Sequence, residues 1–192
     1  MYPRHSLIIC CAALSACSSG VSTAGTRAEA CDIALHYAQH FANKIQAYEP
    51  LAKRQIAVIS APQGLVPSQA ELEIYSAQNP PVYDKDELAL ARRVIDAGVV
   101  SVLDECENVR RWTEDNAVLI DRERIDALSR GEDRPIVLLN LTMPTVSTDH
   151  SKGLVFISEY GGDLAGVSGS MTYEKGADGK WRIIDETMLS MS

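Results

Sequence analysis

Two histidines and an aspartate near the amino-terminal end have the spacing of metal ligands. His36 and His40 lie four residues apart, which would place both rings on one face of a helix, and Asp32 lies one turn earlier. The set lacks the glutamate of the HExxH motif of metalloproteases, and the sequence offers no evident third strong ligand. We therefore expect these side chains to flank a packed helix face, with no metal bound.

Two segments contain serines that resemble catalytic nucleophiles. Residues 147–151 (STDHS) collect the side-chain types of a hydrolase triad, and Ser168 lies in Gly166-Val167-Ser168-Gly169, one residue short of a GxSxG motif. Triads, however, are assembled from distant segments, and five consecutive polar residues between two strands indicate a hairpin turn. We assign no catalytic residue, and a small periplasmic hydrolase remains an alternative.

The composition argues against cofactor and nucleic-acid binding. The formal net charge is −8 at pH 7, and the basic residues form only isolated pairs, so the chain lacks a concentrated positive surface. Glycines 161, 162, 166 and 169 are not followed by the Lys-Ser or Lys-Thr pair of a phosphate loop. We therefore expect no cofactor and no nucleic-acid partner.

Hydrophobic periodicity predicts the helices that would carry these residues. Residues 29–48 show apolar side chains at four-residue intervals, and a longer periodic stretch runs from Asp84 or Asp86 to Val109. Gly98 is the weak point of that second helix, because glycine in a helix interior costs about 1 kcal/mol. Shorter helices are predicted over 68–76, capped by Ser68, and over 122–130, stopped by Gly131.

The carboxyl-terminal third is predicted to be β-structure. Before it, residues 56–60 (IAVIS) predict one strand and 118–120 a second, brief one. After Pro135, four runs with alternating apolar residues are separated by turn-like segments; they are Ile136–Thr142, Gly153–Glu159, Ser168–Glu174 and Trp181–Leu189. These features predict an α+β fold, in which N-terminal helices pack on a C-terminal four-stranded antiparallel meander within a single domain over 29–192.

The same third resembles the ends of a scattered group of bacterial secreted proteins and lipoproteins of unassigned function. The residues that carry this resemblance are Leu154-Val155-Phe156, Tyr160, Gly162, Leu164, Gly166, Gly169, Glu174-Lys175 and Gly179-Lys180-Trp181. In that group a cysteine pair often flanks the glycine turn, whereas here Gly161 and Ala165 occupy the positions. The resemblance therefore implies strand–turn–strand geometry and no catalytic activity.

The first residues resemble a bacterial export signal with a lipobox. Leu7–Leu14 is an apolar run after a short head that carries Arg4, and Leu14-Ser15-Ala16-Cys17 ends it with two small residues and a cysteine. The resemblance implies that residues 1–16 are removed and that Cys17 is lipidated, which would anchor the protein in a membrane. Ser18 favours the outer membrane, facing the periplasm. An ordinary secretory signal ending near Ala16 is the alternative.

Two cysteines remain after the signal segment and Cys17. An even number of cysteines in an oxidising compartment favours a Cys31–Cys106 disulfide, with the two Cα atoms within about 7 Å; two buried free thiols are the alternative. Residues 17–28 are small and polar, which predicts a flexible tether.

These features together favour a lipid-anchored envelope protein with a non-enzymatic domain that binds a protein or a cell-wall component. The alternatives are an immunity or inhibitor protein, whose acidity would attract a basic toxin, and the small hydrolase.

Overall fold

The computed structural model of the protein describes residues 21–60, 64–130, 135–161 and 166–191. The predicted signal peptide, the lipidated Cys17, Gly131 and residues 162–165 of the glycine turn lie outside the described residues. The elements, in chain order, are α1 (Val21–Ala47), β1 (Gln55–Ser60), α2 (Gln69–Ser76), α3 (Lys85–Ala97), α4 (Val102–Glu105), α5 (Glu107–Asp115), α6 (Arg122–Ser129), β2 (Ile136–Leu141), β3 (Thr145–Val146), β4 (Lys152–Tyr160), β5 (Val167–Lys175) and β6 (Trp181–Met191).

The short helices begin at the predicted caps. Ser68 and Asp84 cap α2 and α3, and each forms a capping box with a glutamate three residues later. The long helix predicted up to Val109 is instead divided into α3, α4 and α5. Gly98 ends α3 with a φ of 69°, a left-handed conformation that glycine adopts without the strain of a side chain, and Ser101 starts the next helix.

Helix α1 begins before the predicted start at Glu29. It starts at Val21 and so includes 21–28 of the segment predicted as a tether. Arg27 in this first part forms an ion pair of 2.5 Å with Glu105 at the end of α4. None of the helices in the described ranges is long and apolar enough to cross a membrane.

The α+β class is confirmed, but the described residues form a six-stranded sheet where the sequence predicts a four-stranded antiparallel meander. Strands β2, β4, β5 and β6 pair antiparallel in that order, and β1 joins parallel to β2 at one edge. The two-residue β3 pairs with the start of β4. The sequence cannot reveal these partners, because strand periodicity shows which side chains are buried and not which strand lies alongside.

Helix α1 covers one face of the sheet, which we call the helix face. Its stripe residues Ile33, Tyr37 and Phe41 are at most 1% exposed, and they share one core with Leu139 and Ile157 of the strands. Burying side chains of this size contributes about 1.5–3 kcal/mol each, so this layer is the main source of stability.

A disulfide links α1 to the helical segment that connects β1 with β2, which we call the crossover. Cys31 of α1 and Cys106 between α4 and α5 form it, with their Cα atoms 5.3 Å apart. The predicted pairing and the predicted Cα distance are both confirmed.

The opposite face of the sheet, which we call the cleft face, is covered in two places. Helices α2 and α3 pack over Leu154 and Phe156, while Ile125 of α6 packs beside Leu138 and the β1 side chains. Polar groups under α3 are paired: Ser170 bonds to the Tyr83 hydroxyl at 3.1 Å. The part of this face that the described residues leave uncovered, between α6 and strands β4–β6, forms a cleft.

Candidate functional site

The cleft has a volume of about 760 Å³, within the range of about 300–1,000 Å³ typical of small-molecule sites. Helix α6 contributes one wall through Arg122, Ile125, Asp126 and Ser129. These positions follow the i, i+3, i+4, i+7 spacing of one helix face. Asp121 caps α6 by accepting a hydrogen bond from the Arg124 N–H, so the start of this wall is fixed by a local signal.

A row of four polar side chains crosses the sheet along the cleft. Asn140, Ser158, Ser168 and Ser190 are successive cross-strand neighbours on β2, β4, β5 and β6, and all four line the cleft. The Asn140 amide donates to the Ser158 oxygen at 2.7 Å, and the Ser168 and Ser190 hydroxyls lie 2.5 Å apart. A serine that accepts one bond keeps its own proton to donate, so the row offers donors and acceptors together.

An irregularity in β6 completes this row. Gly169 pairs with Met188 while Ser168 pairs with Ser190, so Leu189 is an extra residue in the ladder. Gly169 has a structural reason to be glycine, because a Cβ there would lie 2.3 Å from the Thr187 carbonyl oxygen. Gly169 therefore serves close packing of β5 on β6, and Ser168 lies within a strand rather than on a nucleophile elbow.

The charges at the cleft neutralise each other. Arg122 and Asp126, one turn apart on α6, form an ion pair of 3.1 Å, and they are the only Asp, Glu, Lys, Arg or His residues among the described residues that line the cleft. Their side chains are 63% and 41% exposed, so the pair contributes little to stability. The site consequently favours neither an anion nor a cation.

Tyr160 lies at the end of β4, where the cleft meets a second, apolar groove. Its side chain is 42% exposed, and it lines both concavities. The groove, of about 340 Å³, is bordered by Phe41 and Ile45 of α1 and by Tyr48, which follows the helix. Glu159 closes its polar side, where it accepts hydrogen bonds from the Tyr37 hydroxyl at 2.8 Å and from Lys44 at 2.6 Å.

The three predicted candidates for metal ligands do not converge. The His36 ring lies 3.3 Å from the Tyr173 hydroxyl, Asp32 accepts from the Asn108 amide at 3.3 Å, and His40 lies against the ring of Tyr37. Burial lowers the pKa of His36 and raises that of Asp32, as expected for groups beside a packed face. Within the described ranges, no group of three histidine, cysteine or acidic side chains could hold a metal ion.

Residues 147–151 form the predicted hairpin turn and not a triad. The Ser147 and Ser151 hydroxyls both donate to Asp149, at 2.5 and 2.8 Å, and these bonds lower the pKa of Asp149 to about 2. The His150 ring points elsewhere, and its Nδ1 lies 2.5 Å from a carboxylate oxygen of Glu29 on α1. His150 has a positive φ of 60°, which is consistent with a place in a tight turn.

Glu29 joins three elements at this end of the sheet. It is 17% exposed and accepts from Lys175 of β5 at 2.6 Å in addition to its contact with His150. Burial raises the pKa of Glu29, but the hydrogen bonds from His150 and Lys175 outweigh that effect, and the pKa lies below its usual value. Lys175 also lies 5.5 Å from the centre of the buried Trp181 ring. These contacts connect α1 to two hairpins and are structural.

Sequence reasoning identified Ser168 but missed the cleft around it. Asn140 and Ser158 interrupt otherwise apolar strands, and a polar residue on an inward strand position is the signal that could have suggested a site. Ser190 could not be placed opposite Ser168, because the extra residue in β6 is invisible to a simple alternation.

The cleft can therefore bind a polar ligand through hydroxyl and amide groups, and its described lining brings no nucleophile together with a base. Comparison with known proteins identifies no matching protein family, no matching curated protein and no matching solved structure.

Proposed function

We propose that this protein is a lipid-anchored component of the bacterial cell envelope whose domain is a non-enzymatic binding module, with the polar cleft as its binding site. The observation that carries the proposal is the row from Asn140 to Ser190, which places hydrogen-bonding groups along the cleft: Ser190 is exposed, Asn140 and Ser168 are half-buried, and Ser158 is buried beneath them. Small-molecule sites combine a concave surface with a few convergent polar groups, and the cleft supplies both, with Ile59, Ile125 and Leu138 lining it beside the row.

The hydrogen bonds of the candidate catalytic residues support binding over catalysis. Asp149 is occupied by Ser147 and Ser151, and Ser168 is hydrogen-bonded to another serine. Acyl transfer by a serine requires an adjacent general base within hydrogen-bonding distance, and the partner of Ser168 is not one.

The envelope location depends on the lipobox at Leu14–Cys17 and is tested by fatty-acid labelling and by the processing of the chain. Changing Cys17 to Ala should leave a longer, unprocessed chain that carries no lipid. Metabolic labelling with a fatty-acid analogue should mark the natural chain and not the variant. Labelled, normally processed Cys17→Ala protein would contradict the proposed anchor.

The binding site is tested by photo-crosslinking in the cell. A photoreactive residue at Ser190, in the cleft, should capture an envelope component, while the same residue at the exposed Thr148 on the remote hairpin turn should not. Equal capture from both positions would show that the contact is not specific to the cleft.

An inhibitor of a protein toxin is a second candidate, favoured by the exposed surface of β6. This outermost strand presents Ile184 and Met188, which are 50% and 53% exposed, beside the acidic Asp185 and Glu186. An exposed strand with apolar and acidic side chains can pair with a basic partner. Capture of a protein from position 184 and of nothing from position 190 would favour this function over the first.

A further inference from the structure

We infer that the ligand of the cleft is a neutral saccharide of a few rings, such as the N-acetylated amino-sugar chain of a cell wall. This inference rests on the proposed function, because it names the ligand of the same cleft. Three properties of the site carry it: the donor–acceptor balance of the polar row, the neutral charge of the walls, and the exposed aromatic ring of Tyr160 at the rim.

The polar row matches the chemistry of sugar hydroxyls. Each sugar hydroxyl both donates and accepts, and so do the hydroxyls of Ser158, Ser168 and Ser190. The Asn140 amide, with one N–H already donated to Ser158, adds one further donor and an acceptor, the complement of an acetamido group. Because these groups are bonded to one another across rigid strands at 2.5 and 2.7 Å, little side-chain entropy would be lost when a ligand binds.

The charge of the cleft discriminates against ionic ligands. A phosphate or carboxylate ligand that paired with Arg122 would also meet the negative charge of Asp126, whose carboxylate lies 3.1 Å from the Arg122 Nε. A cationic ligand would meet the same arginine. A neutral, polar ligand can instead accept from Arg122 and donate to Asp126 without separating the pair.

Tyr160 supplies the remaining element of saccharide recognition. The face of an aromatic ring carries negative charge, and the C–H bonds on one side of a sugar ring are weakly positive, so the two surfaces attract each other. Tyr160 is 42% exposed and borders the cleft at the end of β4, next to Ser158 of the row. An exposed tyrosine beside a polar strip thus offers stacking and hydrogen bonding together.

The test measures binding of tri-N-acetylglucosamine to the full processed chain by calorimetry, in a detergent without a sugar headgroup. Its deacetylated, cationic counterpart serves as the matched ligand control. We expect the neutral saccharide to bind and the cationic one to fail. Tyr160→Ala should weaken binding about tenfold, while Tyr160→Phe, which keeps the ring, should retain it.

Two further variants separate the site from the fold. Asn140→Ala should abolish binding of the neutral saccharide, and Thr148→Ala, on the remote turn, should bind like the natural chain; both should unfold cooperatively. Loss of binding with Tyr160→Phe, or equal binding of both saccharides, would overturn the inference. If neither saccharide binds but a photoreactive residue at position 190 captures a protein in the cell, the saccharide is wrong and the binding function stands. If neither is observed, both fail.

Discussion

The two faces of the sheet differ in how other elements cover them. On the helix face, a single long helix lays Tyr37 and Phe41 across the strands, and a disulfide fastens it to the crossover. On the cleft face, α3 and α6 each cover a separate apolar patch, and the strip between them stays open and polar. The same strands therefore carry stability on one side and a site on the other.

This difference shows how alternation along a strand can divide stability from binding. Leu139 and Asn140 are adjacent on β2, yet the first is fully buried under α1 while the second lines the cleft. Because the helix face secures the strands, the cleft face can retain polar groups that contribute little to folding. The following predictions test that division, from the largest expected effect to the smallest.

The largest effect is expected from removing the disulfide that secures the helix face. The Cys31–Cys106 bridge closes a loop with a sequence separation of 75 residues. On the chain-entropy model, replacing both cysteines with alanine should lower the free energy of unfolding by about 4 kcal/mol. Chemical denaturation followed by circular dichroism measures this change.

Reductant provides the control for this prediction. It should destabilise the natural chain to about the level of the double variant and should leave the double variant unchanged. A natural chain whose unfolding midpoint is the same with and without reductant would contradict a stabilising bridge.

Two neighbouring leucines on β2 compare the faces directly. Leu139→Ala removes a side chain with no exposed surface from the helix face and should cost about 3 kcal/mol. Leu138→Ala changes a half-buried side chain at the cleft, where water can fill the space, and should cost about 1 kcal/mol. Equal losses in the free energy of unfolding, measured by urea denaturation, would show that both faces contribute equally to stability.

Most of the helix face is predictable from sequence. The four-residue spacing along α1 and the two remaining cysteines identified its buried stripe and its cross-link. On the cleft face, Ser68 and Asp84 likewise identified where α2 and α3 begin. These are local signals, set by periodicity and by the capping of free N–H groups. The parallel pairing of β1 with β2 was not predictable. The two strands are joined by a long crossover, and no local sequence pattern indicates where that crossover ends relative to β1.

The cleft was much less predictable, because it forms where the described helices do not cover the sheet. Ser168 was noted for a glycine pattern that proves to serve strand packing, and Ser190 depends on the extra residue Leu189. Arg122 and Asp126 look like an ordinary surface pair one helical turn apart. Only the packing of α6 against the sheet brings these groups to one cavity.

The ionic contacts of Glu29 at the edge of the helix face should make stability depend on pH. Glu29→Gln should cost about 1–2 kcal/mol at pH 7, because charge-assisted bonds from Lys175 and His150 are weakened. The pKa of Glu29 is lower in the folded chain than its usual value of 4.5. Its contribution is therefore complete above about pH 4.5 and is lost as the pH falls through the lowered pKa.

Glu49, an exposed glutamate that follows α1, gives the comparison. Unfolding of the natural chain, Glu29→Gln and Glu49→Gln is measured from pH 7 to pH 3. The difference between the natural chain and Glu29→Gln should shrink towards the acid end, while Glu49→Gln should follow the natural chain throughout. A constant difference at every pH would mean that packing, and not charge, is responsible.

The smallest effect on stability is expected inside the cleft. Ser168→Ala should change the free energy of unfolding by no more than about 0.5 kcal/mol, because the partly exposed Ser168 and the exposed Ser190 can both exchange their mutual bond for water. Ser170, two residues along β5 on the same face, is the matched comparison: it has no exposed surface and bonds to the Tyr83 hydroxyl under α3. Ser170→Ala would leave that hydroxyl unsatisfied and should cost about 1–3 kcal/mol. A larger loss for Ser168→Ala than for Ser170→Ala would mean that the polar row holds the sheet together. The row would then be part of the folding core and would no longer be a surface kept free for a ligand.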